Sequence, residues 1–344
     1  MRTTIKDIAR ECGISVSAVS LALSDKPNRI SSATRQKVLE AAARLNYQPN
    51  PAALSLVNRK SKTIGIVLSD MRNTHIASLF MAINKKIEGK GYSMACHILD
   101  DQEENSDKEI LDLIASENVA GLIWAKPLLQ GREAEQENFG KRVDRLEVPV
   151  ITMDACLFSC PGLDVCFDYE NGAYLATRHL LESGHKRVGA LAGKSGYRVT
   201  HERIKGYRRA LEEYGIGYEK ELVHYGDYTM ESGYEAMPYL MGQNVTAVFS
   251  FNDEMAFGLY RAARIYGVRI PKDLSIIGFD NVPFADVMEI PLSTIRVPIV
   301  EMGEFIGEKM LEFLENPGLT TREQVIYKPD LLLRASTAKI SVQR

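Results

Sequence analysis

The chain has 344 residues, of which 45% are apolar and 25% charged, with a formal net charge of −3, an ordinary globular composition for two or three units of roughly 100–200 residues. No apolar run approaches the ~18–20 residues of a bilayer span, and the opening Met1–Asp7 lacks the apolar core of a secretory signal, so the expectation is a cytoplasmic protein with no membrane partner. Residues 1–60 carry ten Lys/Arg against four Asp/Glu, and the remainder 32 against 41, so a basic module suited to an anionic partner precedes an acidic body.

In chain order, Thr4-Ile5-Lys6-Asp7 has the spacing of a capping box, with the shorter Asp in the acidic place. Ile5, Ile8 and Ala9 then recur at helical spacing until Gly13, a natural stop. Ser15 is placed to cap a second helix whose Val19 and Leu23 point inward while Ser17, Ala18 and Leu21 fall on the other side. Asp25–Asn28 breaks the chain, and Ser31 or Ser32 starts a third helix with Val38, Leu39, Ala42 and Leu45 on one stripe. Three short helices with a tight turn between the first two read as a helix-turn-helix, whose second helix enters the major groove. Small hydroxyl side chains on that helix allow close approach to phosphates and base edges, and the basic charge favours this over a merely solvated serine face.

Asn50 as cap and Pro51 at the first helical position mark one more helix start. Only about two turns follow before Asn58–Lys62, and helices shorter than about 12–15 residues are marginal alone. This hinge is expected to be helical when held by DNA and a partner chain, with its leucines as candidate minor-groove wedges.

The stretches TIKDIARECGISVSAVSLAL, RISSATRQKVLEAAARLNYQPNPAALSL and KTIGIVLSD resemble the lactose-repressor (LacI/GalR) family of bacterial transcription regulators, over essentially the whole chain. The resemblance implies a helix-turn-helix headpiece at 1–48, a hinge at 49–61 and an effector-binding and dimerisation domain at 62–344. It implies a homodimer or tetramer on a near-palindromic double-stranded operator, acting most often as a repressor. The DNA-facing set it implies is Thr4, Ser15, Val16, Ser17, Ala18, Ser20, Leu21, Asn28, Arg29, Ser31, Arg35 and Tyr47, with Leu56 in the central minor groove. Two positions depart from the family: Leu21 and Leu54 stand where relatives often carry Arg.

Apolar runs at 63–68, 92–98, 120–124, 149–153, 187–192, 246–250 and 274–279 alternate with room for helices of 10–17 residues. That pattern predicts an α/β body of two parallel sheets covered on both faces, with ligands at the carboxyl ends of the strands. Gly189–Ser195 looks like a phosphate loop but has three residues, not four, between its glycines. No Ser-His-Asp, paired-carboxylate or metal-ligand pattern stands out, His185 reads as a capping or packing residue and Trp124 as core, so no enzyme is expected. The five cysteines, Cys12, Cys96, Cys156, Cys160 and Cys166, lack a neighbouring His and zinc-knuckle spacing and read as free thiols. Neither a metal nor a cofactor is implied.

The body resembles the two-lobed type-I periplasmic-binding-protein fold with which this family senses small molecules. By motif, ITMDAC supplies Asp154, HERIKGYRRAL supplies Arg203, GDYTMESGY supplies Tyr228 as an aromatic platform, FSFNDEMAFG supplies Asn252 and Asp253, and IIGFDN supplies Asp280. Where relatives commonly show Asn-Pro-aromatic after the first strand, this chain reads Arg72-Asn73-Thr74-His75-Ile76, with Asn73 and His75 as the ligand-facing candidates. Carboxylates, amides and an Arg converging on one cleft suit a sugar or sugar derivative. The alternatives within the family are a purine or nucleoside, or a phosphocarrier protein. The Gln102–Lys108 segment offers no aromatic anchor for the latter, and Lys339–Arg344 has no heptad pattern for a tetramerising coiled coil. A solute-binding protein would show an export signal and no basic head, and a sugar kinase with a fused head would need a glycine-rich phosphate loop.

Leucine packs on a thymine methyl but cannot make the bidentate guanine contact of Arg. The expected operator therefore has an A·T pair where Arg-bearing relatives favour G·C. Selection of sites from random DNA checks this: a fixed guanine beneath Leu21, lost on Leu21→Ala, would overturn it.

Overall fold

The computed structural model describes residues 3–24, 29–47, 61–99, 111–112, 114, 118–126, 141–154, 162–319 and 322–340. Asn28, Leu54, Leu56, Cys156, Cys160, Gln102–Lys108 and the predicted hinge short of Ser61 lie outside the described residues. Chain contacts divide the molecule into Met1–Ser61 and Lys62–Arg344.

The first unit has helices α1 (Ile5–Cys12), α2 (Val16–Ala22) and α3 (Ser32–Arg44). Each start is set by a side chain. The Thr4 amide and hydroxyl donate to the Asp7 carboxylate at 2.9 and 2.7 Å, Ser15 Oγ accepts from the Ala18 amide at 3.1 Å, and Ser31 Oγ accepts from the Thr34 amide at 3.2 Å. Gly13 ends α1 at φ 68°, a left-handed conformation that only glycine adopts without cost. Ile8, Ala9, Cys12, Val19, Ala22, Val38, Ala41 and Ala42 form the core, with Leu23 and Leu45 packed against it. One expectation changes: Leu39 is 45% exposed. Positions 38, 41, 42 and 45 make the true three-and-four repeat, so Ala41 takes the inner place and Leu39 faces outward.

The second unit holds two six-stranded sheets. The first runs β2 (Ser93–Ile98), β1 (Thr63–Leu68), β3 (Gly121–Ala125), β4 (Val150–Met153), β5 (Gly162–Phe167) and β11 (Arg322–Tyr327), all parallel. The second runs β7 (Val223–Tyr225), β6 (Val188–Ala192), β8 (Ala247–Ser250), β9 (Ser275–Asp280), β10 (Ser293–Arg296) and β12 (Asp330–Leu332), parallel except that β12 is antiparallel to β10. In the first sheet Ile64, Ile66 and Leu68 enter one core cluster while Val67, Leu122 and Trp124 enter another, the two-residue alternation of a sheet covered on both faces.

Helix α4 (Thr74–Glu88) joins β1 to β2, and α5 (Tyr169–Glu182), α6 (Arg198–Glu213), α7 (Met230–Gly242) and α8 (Asp253–Tyr266) serve the second lobe. Helix α9 (Ile299–Glu315) returns to pack on α4. The chain therefore passes between lobes at Asp168, at Val297–Pro298 and at Lys328–Pro329. His185 is buried, its Nδ1 paired with Thr246 Oγ1 at 2.9 Å and its Nε2 with the Ala338 carbonyl at 3.1 Å. Cys12, Cys96 and Cys166 are free thiols. Among the described residues no helix is long and apolar enough to cross a membrane, and no cluster of His, Cys, Asp or Glu could hold a metal ion.

Helices α5 and α6 touch backbone to backbone at Gly206, where a Cβ would collide with the Glu170 carbonyl oxygen and the Tyr174 amide. Overpacking of this kind costs typically 1–3 kcal/mol. Gly206→Ala should lower stability by about that much in urea denaturation, whereas Gly242→Ala, whose Cβ meets nothing within 4 Å, should be neutral or gain up to ~1 kcal/mol.

Candidate functional site

A cavity of about 870 Å³ lies between the lobes of the second unit. It collects residues from the carboxyl ends of the strands: Ser69–Arg72 after β1, Leu99 after β2, Asp154 after β4, Lys194 after β6, Asp227 after β7, Asn252 after β8 and Asp280 at the end of β9. Parallel sheets aim their strand ends and the following helix N-termini at such a crevice. Among the described residues, three lining residues other than glycine have positive φ, Asp154 at 55°, Tyr228 at 72° and Asp280 at 113°. Each costs of order 1–3 kcal/mol, and such strain concentrates where side chains are being aimed.

Arg203, on the second turn of α6, is 5% exposed. Its guanidinium carbon lies 4.2 Å from the Phe279 ring centroid and 4.8 Å from that of Tyr169, a cation–π cage that replaces part of the lost hydration. Its Nη1 donates to Tyr228 Oη at 3.4 Å, and its Nη2 stands 3.8 Å from Asp280 Oδ1, beyond hydrogen-bond reach. Arg203 Nε is buried with no hydrogen-bond partner among the described residues. Burial pushes the Asp280 carboxyl well above the usual carboxylate range; Arg203 pulls it down, and Asp253 and Glu254 push it further up.

Asp154 accepts from the Phe167 amide at 3.0 Å and from Tyr169 Oη at 2.6 Å, and burial outweighs these bonds to push its pKa up to about 6. His75 is pushed down to about 3 by burial and then by the Arg203 charge, so its imidazole is neutral. Asn73 and Asn252 line the cavity as helix caps: Asn73 Oδ1 accepts from the His75 amide and Asn252 Oδ1 from the Met255 amide, each at 2.9 Å. Asn252 Nδ2 also donates to the Tyr228 carbonyl at 2.9 Å.

Two expectations need correction. Asp253 does not line the cavity; it is fully buried, with its carboxylate accepting from Thr294 Oγ1 at 2.6 Å and the Val282 amide at 2.9 Å. The Tyr228 ring is not an open platform either. It stacks on Tyr197 at 6.2 Å with 21° between planes, and its hydroxyl pairs with Thr200 at 2.6 Å. Sequence reading missed Tyr169, Lys194, Asp227 and Glu254 in the lining. Asp227 and Glu254 sit inside the motifs quoted for Tyr228 and Asp253, so their place just after a strand was the available signal.

In the first unit Ser15, Val16, Ser17 and Leu21 of the α2 segment are exposed, while Ala18 and Ser20 are half-buried. Thr4, Arg29 and Ser31 are exposed too. Arg35 donates to the Ser24 carbonyl at 2.8 Å, and Tyr47 packs on the helical core, so both also serve the fold.

Residues 4–50 match the bacterial regulatory proteins of the lacI family, and residues 177–337 a periplasmic binding protein-like domain. Over 344 residues, 99% of this chain and 100% of the relative, the sequence is 31% identical to the transcriptional regulator DegA of Bacillus subtilis. The chain belongs to the lacI family. Within that family its fold matches the lac repressor dimer bound to operator at a TM-score of 0.84, with 24% identity over 98% of this chain and 100% of that one. A lacI-family regulator from Enterococcus faecium with bound ribose matches at 0.72, with 27% identity over 81% of this chain and 100% of that one. The relatives are transcriptional regulators, not enzymes.

Because the folded pKa of Asp154, about 6, exceeds the unfolded value of about 4, the folded chain binds this proton more tightly. The group favours folding fully below about pH 4, and that contribution is lost as pH rises through about 6. Thermal unfolding at about pH 4.5 and pH 7 should show a smaller fall in stability for Asp154→Asn than for the parent chain; an equal fall would assign the slope to other groups.

Proposed function

We propose that this lacI-family regulator is a repressor whose homodimer reads a near-palindromic operator through the exposed Ser15–Leu21 face, under control of an uncharged polyhydroxy effector in the inter-lobe cavity. The observation that carries the effector reading is the Arg203–Asp280 pair. Arg203 and Asp280 both line the cavity; the buried guanidinium Nε has no acceptor among the described residues, and the carboxylate's Arg partner stands too far off for a hydrogen bond. A hydroxyl accepts from the first and donates to the second, a pairing that a sugar supplies several times over. The ribose-bound relative from Enterococcus faecium supports this class.

A purine is a weaker fit, because the tyrosine rings on the cavity wall already have partners: Tyr228 and Tyr197 stack on each other, and Tyr169 packs on Arg203. A phosphorylated effector is also disfavoured. The lining carries the carboxylates Asp70, Asp154, Asp227, Glu254 and Asp280 against the cations Arg72, Lys194 and Arg203, and Arg72 is chelated by Asp70. Exposed apolar side chains such as Phe284 at 61% and Val287 at 71% support burial of that surface in a second copy. An effector that prefers one lobe arrangement shifts the population toward it and so alters operator occupancy.

A thermal-shift screen of the full chain against neutral sugars, polyols, sugar phosphates and purines tests the effector reading. At a hundred times its dissociation constant a true effector stabilises by about 2.7 kcal/mol, a rise of a few degrees, and the rise should vanish in Asp280→Ala. A response confined to purines or sugar phosphates, or one that survives the substitution, would overturn it. A reporter gene placed behind the selected operator should be silenced by the chain; activation would replace the repressor reading.

A further inference from the structure

The loop Asp70–Thr74 of the first lobe reaches the opposite lobe. Asp70 holds the loop by accepting the Arg72 amide at 2.9 Å and its guanidinium at 2.9–3.2 Å. Thr74 is the first residue of α4, so its amide has no partner within the helix. The Asn73 side chain serves His75 instead. The Thr74 amide and hydroxyl both donate to Glu254 Oε1, each at 3.3 Å.

Glu254 stands in the first turn of α8 on the second lobe. One carboxylate thus serves the positive ends of two helices from opposite lobes, an arrangement favoured by both macrodipoles. The surrounding charges agree across the cleft: Lys194 of the second lobe acts on Asp70 of the first, and Asp227 of the second on Arg72 of the first. Arg72, Asn73 and His75, which this contact anchors, all line the cavity, as does Glu254 itself.

We infer that Glu254 is a positioning residue that latches the Arg72–His75 wall of the first lobe to the second lobe through Thr74, and so biases the lobe angle on which the effector acts. The chain's own groups make the latch, so the test needs no effector. Spin-labelled amino acids introduced genetically at Glu88 and Glu235, both exposed and on opposite lobes, report the lobe-to-lobe distance in the purified full chain. Hydrogen exchange reports the Thr74 amide.

Glu254→Ala should shift the closed-to-open ratio about tenfold toward open, lengthen the mean distance and speed Thr74 exchange. Glu254→Gln, which keeps an acceptor oxygen, should restore most of the closure, and Thr74→Val, which keeps only the amide, should open the cleft part-way. Unchanged distance and exchange in Glu254→Ala would overturn the latch, as would a Gln variant as open as the Ala variant. Should Glu254→Ala fail circular dichroism as folded, Thr74→Val decides: a part-open cleft supports the latch and an unchanged one overturns it. Failure here leaves the effector reading standing, because no effector is present, and failure of the sugar screen leaves the latch standing.

Discussion

A single guanidinium taken almost wholly out of water organises the cleft. Arg203 reaches the cavity from α6, and an unpaired charge there would cost several kcal/mol in desolvation. The fold answers with aromatic faces rather than with a tight ion pair: Phe279 and Tyr169 flank the charge, and Asp280 stands off at 3.8 Å. The consequences spread outward. His75 is held neutral, Asp280 is only partly relieved of the penalty of burial, and the tyrosine rings are committed to the protein rather than to a stacked ligand. What remains open is hydrogen-bonding capacity, which is what a polyhydroxy molecule matches.

A second theme is economy at helix starts. Asn73, Asn252 and Thr229 cap helices that begin at the cleft, and each does so with its own side-chain oxygen. A cap leaves the backbone extended before the helix, so the residues on either side are presented to the crevice in a fixed direction. Three passages of chain between the lobes are the only covalent links within this unit among the described residues. Relative lobe movement therefore strains few residues, while contacts across the cleft such as Thr74–Glu254 can bias it.

Seven strands could be read from apolar runs: six are buried almost throughout, where a parallel strand covered on both faces is apolar at nearly every position, and the seventh, β2, is an edge strand with no buried residue. The other five could not. In β5, Asp164 interrupts the run and is kept inside by Thr152 Oγ1 at 2.8 Å; β10 reads Ser-Thr-Ile-Arg, and β11 begins Arg-Glu-Gln. These segments are strands because a neighbouring strand offers them a ladder, not because of their own pattern. Asp253 misled for a related reason. It stands beside Asn252 just after β8, but one residue further on its side chain points beneath the cleft floor to Thr294, a residue 41 positions away in sequence.

What the sequence determined by itself was local or periodic: the capped helices of the basic head, the charge split, and the alternation of buried strands with helices, whereas Arg203, Asp154 and Asp280 were placed by resemblance to the family's motifs. Each local or periodic feature depends on neighbours within a few residues or on a repeat, and such signals survive in one dimension. Only the tertiary structure decided which polar groups remain for a ligand. Whether Tyr228 offers a face, whether Asp253 faces the cavity, and whether Glu254 serves its own helix or another lobe all depend on partners brought from distant parts of the chain. Burial and hydrogen-bond occupancy are properties of that assembled neighbourhood, and no residue type carries them alone.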